Sequence, residues 1–363
     1  MRHFILFSAL IVLLCAADSE AAPRVVDATI SVGSDRETYA IAWTTEPAGA
    51  PVTVTVTDRL GGEARIIADS AVDGSFRWRT GMSGKRHYFS LTPTAGEAFT
   101  YASRVLPLEG GRNFRDLGGY ETADGKRIKW GKVFRSGVMS GLTDGDYDYL
   151  SSLGIKTVCD LRAADEREAE PTEWRAGDID YVTYPDPEER GTSTLAILAE
   201  KDVTPEQVAK AMADGYVGIA YQQAPAYRSM FDRLAGGEIP LAFNCSAGKD
   251  RTGIGAALLL TLLDVPRSTI VADYALSDDV VDYMQAFLND DARAKAEENG
   301  SPYAFLFQLP PETVEPLMRS DAQYIEAALT AIEAEHGSVM RYIQKELDVT
   351  DAEIQSIRAA LLD

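Results

Sequence analysis

Residues 239–253 read Ile239-Pro240-Leu241-Ala242-Phe243-Asn244-Cys245-Ser246-Ala247-Gly248-Lys249-Asp250-Arg251-Thr252-Gly253, and an apolar run from Ile254 to Leu263 follows. A short apolar strand enters a tight loop, and the loop enters a helix. Such a loop aims several backbone N–H groups and the positive end of the helix dipole at one point, which is what a phosphate dianion requires. Gly248 lets the backbone turn without a Cβ clash. The same field, with Arg251 beside it, favours the thiolate of Cys245 and makes it a nucleophile toward phosphorus. Arg251 offers a planar fork to two phosphoryl oxygens. Thr252 is expected to donate to the sulfur when it leaves, and Ser246, Ala247, Gly248, Lys249, Asp250 and Gly253 complete the expected substrate-binding loop. The plainer reading of Cys245 is a small buried hydrophobe at a strand end. It leaves Lys249 and Arg251 unexplained, because cations at a helix N-terminus oppose the dipole unless an anion joins them.

Around this segment, short apolar strands alternate with helical stretches. Residues 154–159 and 239–243 read as buried parallel strands, each met by a helix, and the tail from Asp321 to Leu362 reads as helical, with Tyr324, Ala328, Leu329 and Ile332 on one stripe and Gly337 as a stop. The expected class is an α/β domain over 106–363, a parallel sheet flanked by helices. Between Val25 and Arg104 the apolar period is two: Tyr39/Ile41/Trp43, Val52/Val54/Val56, Phe76/Trp78 and His87/Phe89/Leu91, separated by Gly- and Pro-containing turns. This predicts an all-β sandwich over 23–105 that resembles an immunoglobulin or fibronectin-type module, either a docking module or a spacer. Ahead of it, Arg2 and His3 precede an apolar run from Phe4 to Cys15 and small residues up to Ala22. That reads as a signal peptide over 1–22, too short for a membrane span of about 20 residues. Lipidation at Cys15 is the alternative, opposed by bulky Leu14. The expected location is the periplasm or the exterior, with no integral membrane segment.

Composition narrows the function. Thirty-five Lys+Arg against 56 Asp+Glu give a net charge of −21, which argues against a nucleic-acid partner, since that demands a basic face. Three cysteines and three histidines are too few for a disulfide framework or a Cys/His zinc cluster.

The loop Cys245-Ser246-Ala247-Gly248-Lys249-Asp250-Arg251-Thr252-Gly253 resembles the signature of the bacterial cysteine-dependent tyrosine phosphatases. Four further segments are similar to that branch in the same order: 111–120 (Gly111 to Tyr120), 133–137 (Val133 to Gly137), 153–162 (Leu153 to Arg162) with Glu166-Arg167, and 273–277 (Asp273 to Ser277). The resemblance implies hydrolysis of phosphotyrosine, with phosphoserine, phosphothreonine and phosphoinositides as further substrates, through a phosphocysteine on Cys245 and without metal or cofactor. One departure is Asn244, where the family usually has His.

The leaving group needs a proton donor. His87 falls in the sandwich and His336 on a C-terminal helix, so an Asp is required. Asp160, at the carboxyl end of its strand, is the expected acid, as the resemblance also implies; Asp250 inside the loop is the rival. Cys159, next to Asp160, is a candidate redox partner for Cys245. Residues 104–135 hold Arg104, Arg112, Arg115, Lys126, Arg127, Lys129, Lys132 and Arg135 against four acidic residues, an excess that would line the mouth if it faced the loop. The stretch Asp186 to Tyr227, with Tyr216, Tyr221 and Tyr227, resembles the variable helical cover of the branch, a candidate lid. The expected partner is a phosphorylated protein or a phosphoinositide; the alternative from outside enzymology is a phosphopeptide-binding pseudophosphatase.

Overall fold

The computed structural model describes residues 22–186, 197, 198, 200, 202–298 and 304–363. The leader expected over 1–22, Cys15 included, lies outside them save for residue 22, as does the part of the candidate lid from 187 to 196. No described helix is long and apolar enough to cross a membrane.

The first seven strands are β1 (Arg24–Val32), β2 (Thr38–Glu46), β3 (Val52–Thr57), β4 (Arg65–Ala71), β5 (Ser75–Arg79), β6 (Tyr88–Pro93) and β7 (Phe99–Ala102). They form two antiparallel sheets, β1-β2-β5 and β4-β3-β6-β7. Alternation decides which side chains point inward: Tyr39, Ile41 and Trp43 from one sheet meet Val52, Val54, Val56, Phe89 and Leu91 from the other in one shared core. The N-terminal region is therefore a sandwich, as the period of two requires. Ile66, on the edge strand β4, faces out instead.

The remaining strands are β8 (Arg115–Asp116), β9 (Val133–Ser136), β10 (Thr157–Asp160), β11 (Asp180–Thr183) and β12 (Leu241–Asn244). They form one sheet in the order β11-β10-β12-β9-β8, parallel except for β8. Successive residues alternate between two buried faces. Val133, Cys159, Leu241 and Phe243 join the larger core with the helices Ala224–Ala235, Asp250–Leu262 and Ala322–His336, while Phe134, Val158 and Ala242 join a second core under the helix Asp144–Ser151. Burial on both faces is why these strands read as unbroken apolar runs. The C-terminal tail is three helices, Ala322–His336, Val339–Lys345 and Asp351–Leu361; Gly337 ends the first at φ 84°, and the predicted stripe Tyr324, Ala328, Leu329 and Ile332 is buried.

Strand order positions the site. The last strand in sequence, β12, sits in the middle of the sheet between β9 and β10, and in open α/β sheets the ligand crevice lies at the carboxyl ends of the strands. Cys245 is the next residue after β12.

Candidate active site

The loop Cys245–Lys249 joins β12 to the 13-residue helix Asp250–Leu262. Gly248 has φ +76°, and a Cβ there would lie 2.4 Å from the Gly137 nitrogen, so the position admits only glycine without a backbone shift. Cys245 is buried at 1% exposure, and the Gly248 N–H donates to its Sγ at 3.3 Å.

Carbonyls of the loop are tied outward. Ser246 O accepts from Arg112 Nη1 (3.1 Å) and the Val138 N–H (3.1 Å), Ala247 O from the Tyr283 hydroxyl (3.0 Å), and Gly248 O from Asn113 Nδ2 and Arg135 Nη2, both at 2.9 Å. Three successive carbonyls are held away from the centre, and the Gly248 N–H turns toward the sulfur. A loop fixed in this way can act as an anion nest.

Arg251 is held flat. Glu166 accepts both ends of its guanidinium, at 2.5 and 2.6 Å, and also accepts from the Ser246 hydroxyl (2.6 Å) and the Ala163 N–H (2.8 Å). Burial disfavours the charged carboxylate, but the Arg251 fork and charge outweigh it and bring Glu166 down to about 2; the same contacts push Arg251 upward. Glu166 belongs to the segments that carry the family resemblance, and only the folded chain shows its pairing with Arg251.

Thr252 is fully buried and donates to Ser136 O at 3.3 Å, and Ser246 gives its hydroxyl to Glu166. Lys249 is 3% exposed, with its ammonium on Asp250 Oδ1 (2.8 Å) and Arg319 O (3.2 Å).

The two carboxylates expected as proton donors stand in unlike surroundings. Asp160 has no exposure and accepts from Arg162 Nε and Nη2 (3.0 and 2.7 Å), the Arg162 N–H, Asn244 Nδ2 (3.2 Å) and the Tyr181 hydroxyl. Asp250 has a side chain 27% exposed at the loop itself and accepts from Lys249 and from the Tyr216 hydroxyl at 2.5 Å. Burial opposes its charge, yet Lys249, Tyr216 and Arg251 together hold Asp250 below the usual carboxylate range. Asn244, in place of the family's His, spends its amide on Asp160.

Cys159 and Cys245 are both free thiols. Cys159 pairs in register with Phe243, two residues short of Cys245, and burial pushes its thiol up to about 11, so it holds its proton at neutral pH. The described part of the candidate lid forms the helices Pro205–Gln222 and Ala224–Ala235, in which Tyr216 reaches Asp250 and Tyr227 reaches Arg251 O at 2.7 Å, while Tyr221 bonds Glu335 and His336 on a C-terminal helix. Tyr216 and Tyr227 brace the loop from below.

Nor does the basic stretch line the mouth as a whole. Arg112 touches the loop, but Arg115 and Arg135 are fully buried around Asp273, whose Oδ2 accepts from Arg135 Nη1 (2.5 Å), whose Oδ1 accepts from Tyr120 (2.9 Å), and whose backbone carbonyl accepts from Arg115 Nη2 (2.7 Å). Lys129 reaches Ala359 O and Arg127 reaches Glu121. Arg112, Arg115 and Arg135 thus serve as scaffold, together with Asn113 and Asp273 of the quoted segments and with Tyr283, which the sequence did not single out. Burial opposes the charge of Asp273, and the guanidiniums of Arg115 and Arg135 outweigh it and hold the carboxyl well below its usual range. Asp273→Asn therefore leaves two buried cations facing each other, and thermal unfolding should show a loss of about 3–5 kcal/mol. Asp273 and Glu166 have lowered folded values, so their contribution is complete above the unfolded carboxylate range. Wild-type stability should fall as pH drops below about 4, and Asp273→Asn should flatten part of that slope.

A family model described as "Tyrosine phosphatase family" matches residues 106–363. Among curated relatives, a provisionally named tyrosine-protein phosphatase of Cupriavidus necator is 32% identical over 67% of this chain and 84% of its own length. A tyrosine-protein phosphatase of Nostoc commune is 32% identical over 62% and 73%, and the triple specificity protein phosphatase PtpB of Mycobacterium tuberculosis is 28% identical over 71% and 99%. A solved Fn3-like protein from Clostridium thermocellum aligns at 18% identity with 23% of this chain and 88% of its own, with a TM-score of 0.19. On the strength of the family match over 106–363 and the relatives that share it, the chain belongs to the tyrosine phosphatase family.

Proposed function

We propose that this protein is an exported phosphatase that hydrolyses phosphotyrosine monoesters through a phosphocysteine on Cys245. The observation that carries the reading is the outward tethering of the Ser246, Ala247 and Gly248 carbonyls around a buried thiol at a helix N-terminus. In this scheme the Cys245 sulfur attacks phosphorus, the phosphorus–oxygen bond to tyrosine breaks, and the N–H groups with the Arg251 fork hold the equatorial oxygens. Water then cleaves the phosphorus–sulfur bond and releases phosphate. No step needs a metal or a cofactor. Export rests on the apolar leader.

Asp250 is the better proton donor of the two expected carboxylates. A group that must protonate a phenolate has to reach it, and Asp160 is closed in by Arg162, Tyr181 and Asn244. Asp250 is ionised in the free protein, and a bound phosphoryl dianion beside it raises its proton affinity. Asp250→Asn should slow aryl phosphates with poor leaving groups about 10²-fold and spare those with good ones. Asp160→Asn should instead lower thermal stability, with no dependence on the leaving group. The reverse pattern restores Asp160 as the acid.

A phosphoinositide headgroup would call on Lys249 as a free cation, and that alternative loses support where Lys249 is buried against Asp250. Acid quench of the protein with ³²P-labelled phosphotyrosine peptide, with a chelator present, should trap label on Cys245, and inositol phospholipid should compete poorly. Binding of phosphopeptide with no label and no turnover would favour the pseudophosphatase reading.

A further inference from the structure

Two arginines of the sandwich are sealed against the catalytic region, and both end on the segment that clasps the loop. Arg36, from the β1–β2 turn, is 5% exposed and donates to Asp146 and, at 3.0 Å, to Pro107 O. Asp146, fully buried, accepts in addition from the backbone N–H groups of Glu109 and Gly110, each at 2.9 Å. Gly110 there abuts Gly141 so closely that a Cβ would lie 1.6 Å from the Gly141 carbonyl oxygen. Arg86, at the start of β6, is 1% exposed; its Nη1 donates to Asp116 Oδ2 at 2.6 Å and its Nη2 to Ser103 O at 2.8 Å. Asp116 also accepts from the Gly131 N–H at 2.7 Å.

Residues 109–116 are thus pinned at one end by Asp146 with Arg36 and at the other by Asp116 with Arg86. Between the pins lie Arg112 and Asn113, whose side chains hold the carbonyls of Ser246 and Gly248. Arg115 joins them through Asn113 and through Asp273. We infer that the sandwich is neither spacer nor docking module alone: through Arg36 and Arg86 it supplies two positioning residues for the Cys245–Arg251 loop. A buried ion pair tolerates little displacement, because either charge left alone is strongly destabilised. Loss of a pin frees residues 109–116 to shift, and misplacement of a reacting group by about 1 Å costs about 10²-fold in rate.

This inference rests on the phosphatase reading, and the test separates the two. The full chain is compared with Arg36→Gln, Arg86→Lys and, as a control in the exposed Arg24–Glu46 pair, Arg24→Gln, using p-nitrophenyl phosphate turnover, orthovanadate inhibition and circular dichroism. Wild type without turnover would sink the phosphatase reading. With wild type active, folded Arg36→Gln and Arg86→Lys should lose about tenfold or more in kcat and in orthovanadate affinity, and Arg36→Lys should recover part of it. Arg24→Gln should match wild type. Arg36→Gln or Arg86→Lys that melts lower yet keeps wild-type kcat and orthovanadate affinity would overturn the positioning role and leave a purely structural one. Should Arg36→Gln fail to fold, Arg36→Lys, which keeps the charge and loses the fork, is read by the same criteria.

Discussion

Cys245→Ser should reduce turnover of aryl phosphates by about 10⁴-fold or more, the range seen when an enzyme loses its nucleophile, while leaving the fold and phosphate binding in place. A serine hydroxyl is smaller than the thiol and fits a site that is 1% exposed, so no cavity of consequence opens. The tethers on Ser246, Ala247 and Gly248 do not involve the sulfur, and neither does the Glu166–Arg251 pair. What disappears is the sulfur nucleophile itself. An alcohol lies too far above neutral for one N–H contact and a helix dipole to deprotonate it. Isothermal titration with inorganic phosphate should return a dissociation constant within a few-fold of wild type. Retained turnover in Cys245→Ser would end the phosphocysteine mechanism.

Arg251→Lys should cost about 10³-fold in kcat although the charge is kept. The guanidinium is oriented by two contacts to Glu166, at 2.5 and 2.6 Å, and that pairing leaves its remaining edge as a planar donor for phosphoryl oxygens. An ammonium has three donors, but they radiate from one nitrogen with no fixed plane, so it cannot pair edge-on with Glu166 and with a phosphoryl group at once. Glu166, held at about 2 by that fork, then loses part of its compensation, so a lower melting temperature should accompany the loss of rate. Glu166→Gln supplies the complement. It keeps one acceptor for Arg251 and should lower kcat less than Arg251→Lys does, with the larger effect on orthovanadate affinity. Equal rates for Arg251→Lys and wild type would remove the fork from the mechanism.

Most of the α/β architecture was legible because buried parallel strands and amphipathic helices carry local signatures. The apolar runs before Asp160 and Cys245, the stripe Tyr324/Ala328/Leu329/Ile332 and the stop at Gly337 follow from periodicity alone. The period of two between Tyr39 and Leu91 likewise marked the sandwich. What did not show locally is which charges are spent inside. Arg115 and Arg135 look like surface cations in a list of residues, yet both are buried on Asp273, some 140 to 160 positions away in the chain. Asp160 reads as an open strand-end carboxylate until Arg162 and Tyr181 are seen to close over it.

The order of residues by itself determined the candidate nucleophile and its cradle, because a thiol, a turn glycine, an arginine and a helix start lie within nine consecutive positions and their geometry is set by local backbone. Tertiary structure alone decided what holds that cradle still. Glu166, Asn113, Arg135 and Tyr283 come to the loop from distant segments, and Arg36 and Arg86 reach residues 109–116 from another layer of the fold. Pairing energies of buried charges depend on distance and on exclusion of water, neither of which exists until the chain has folded.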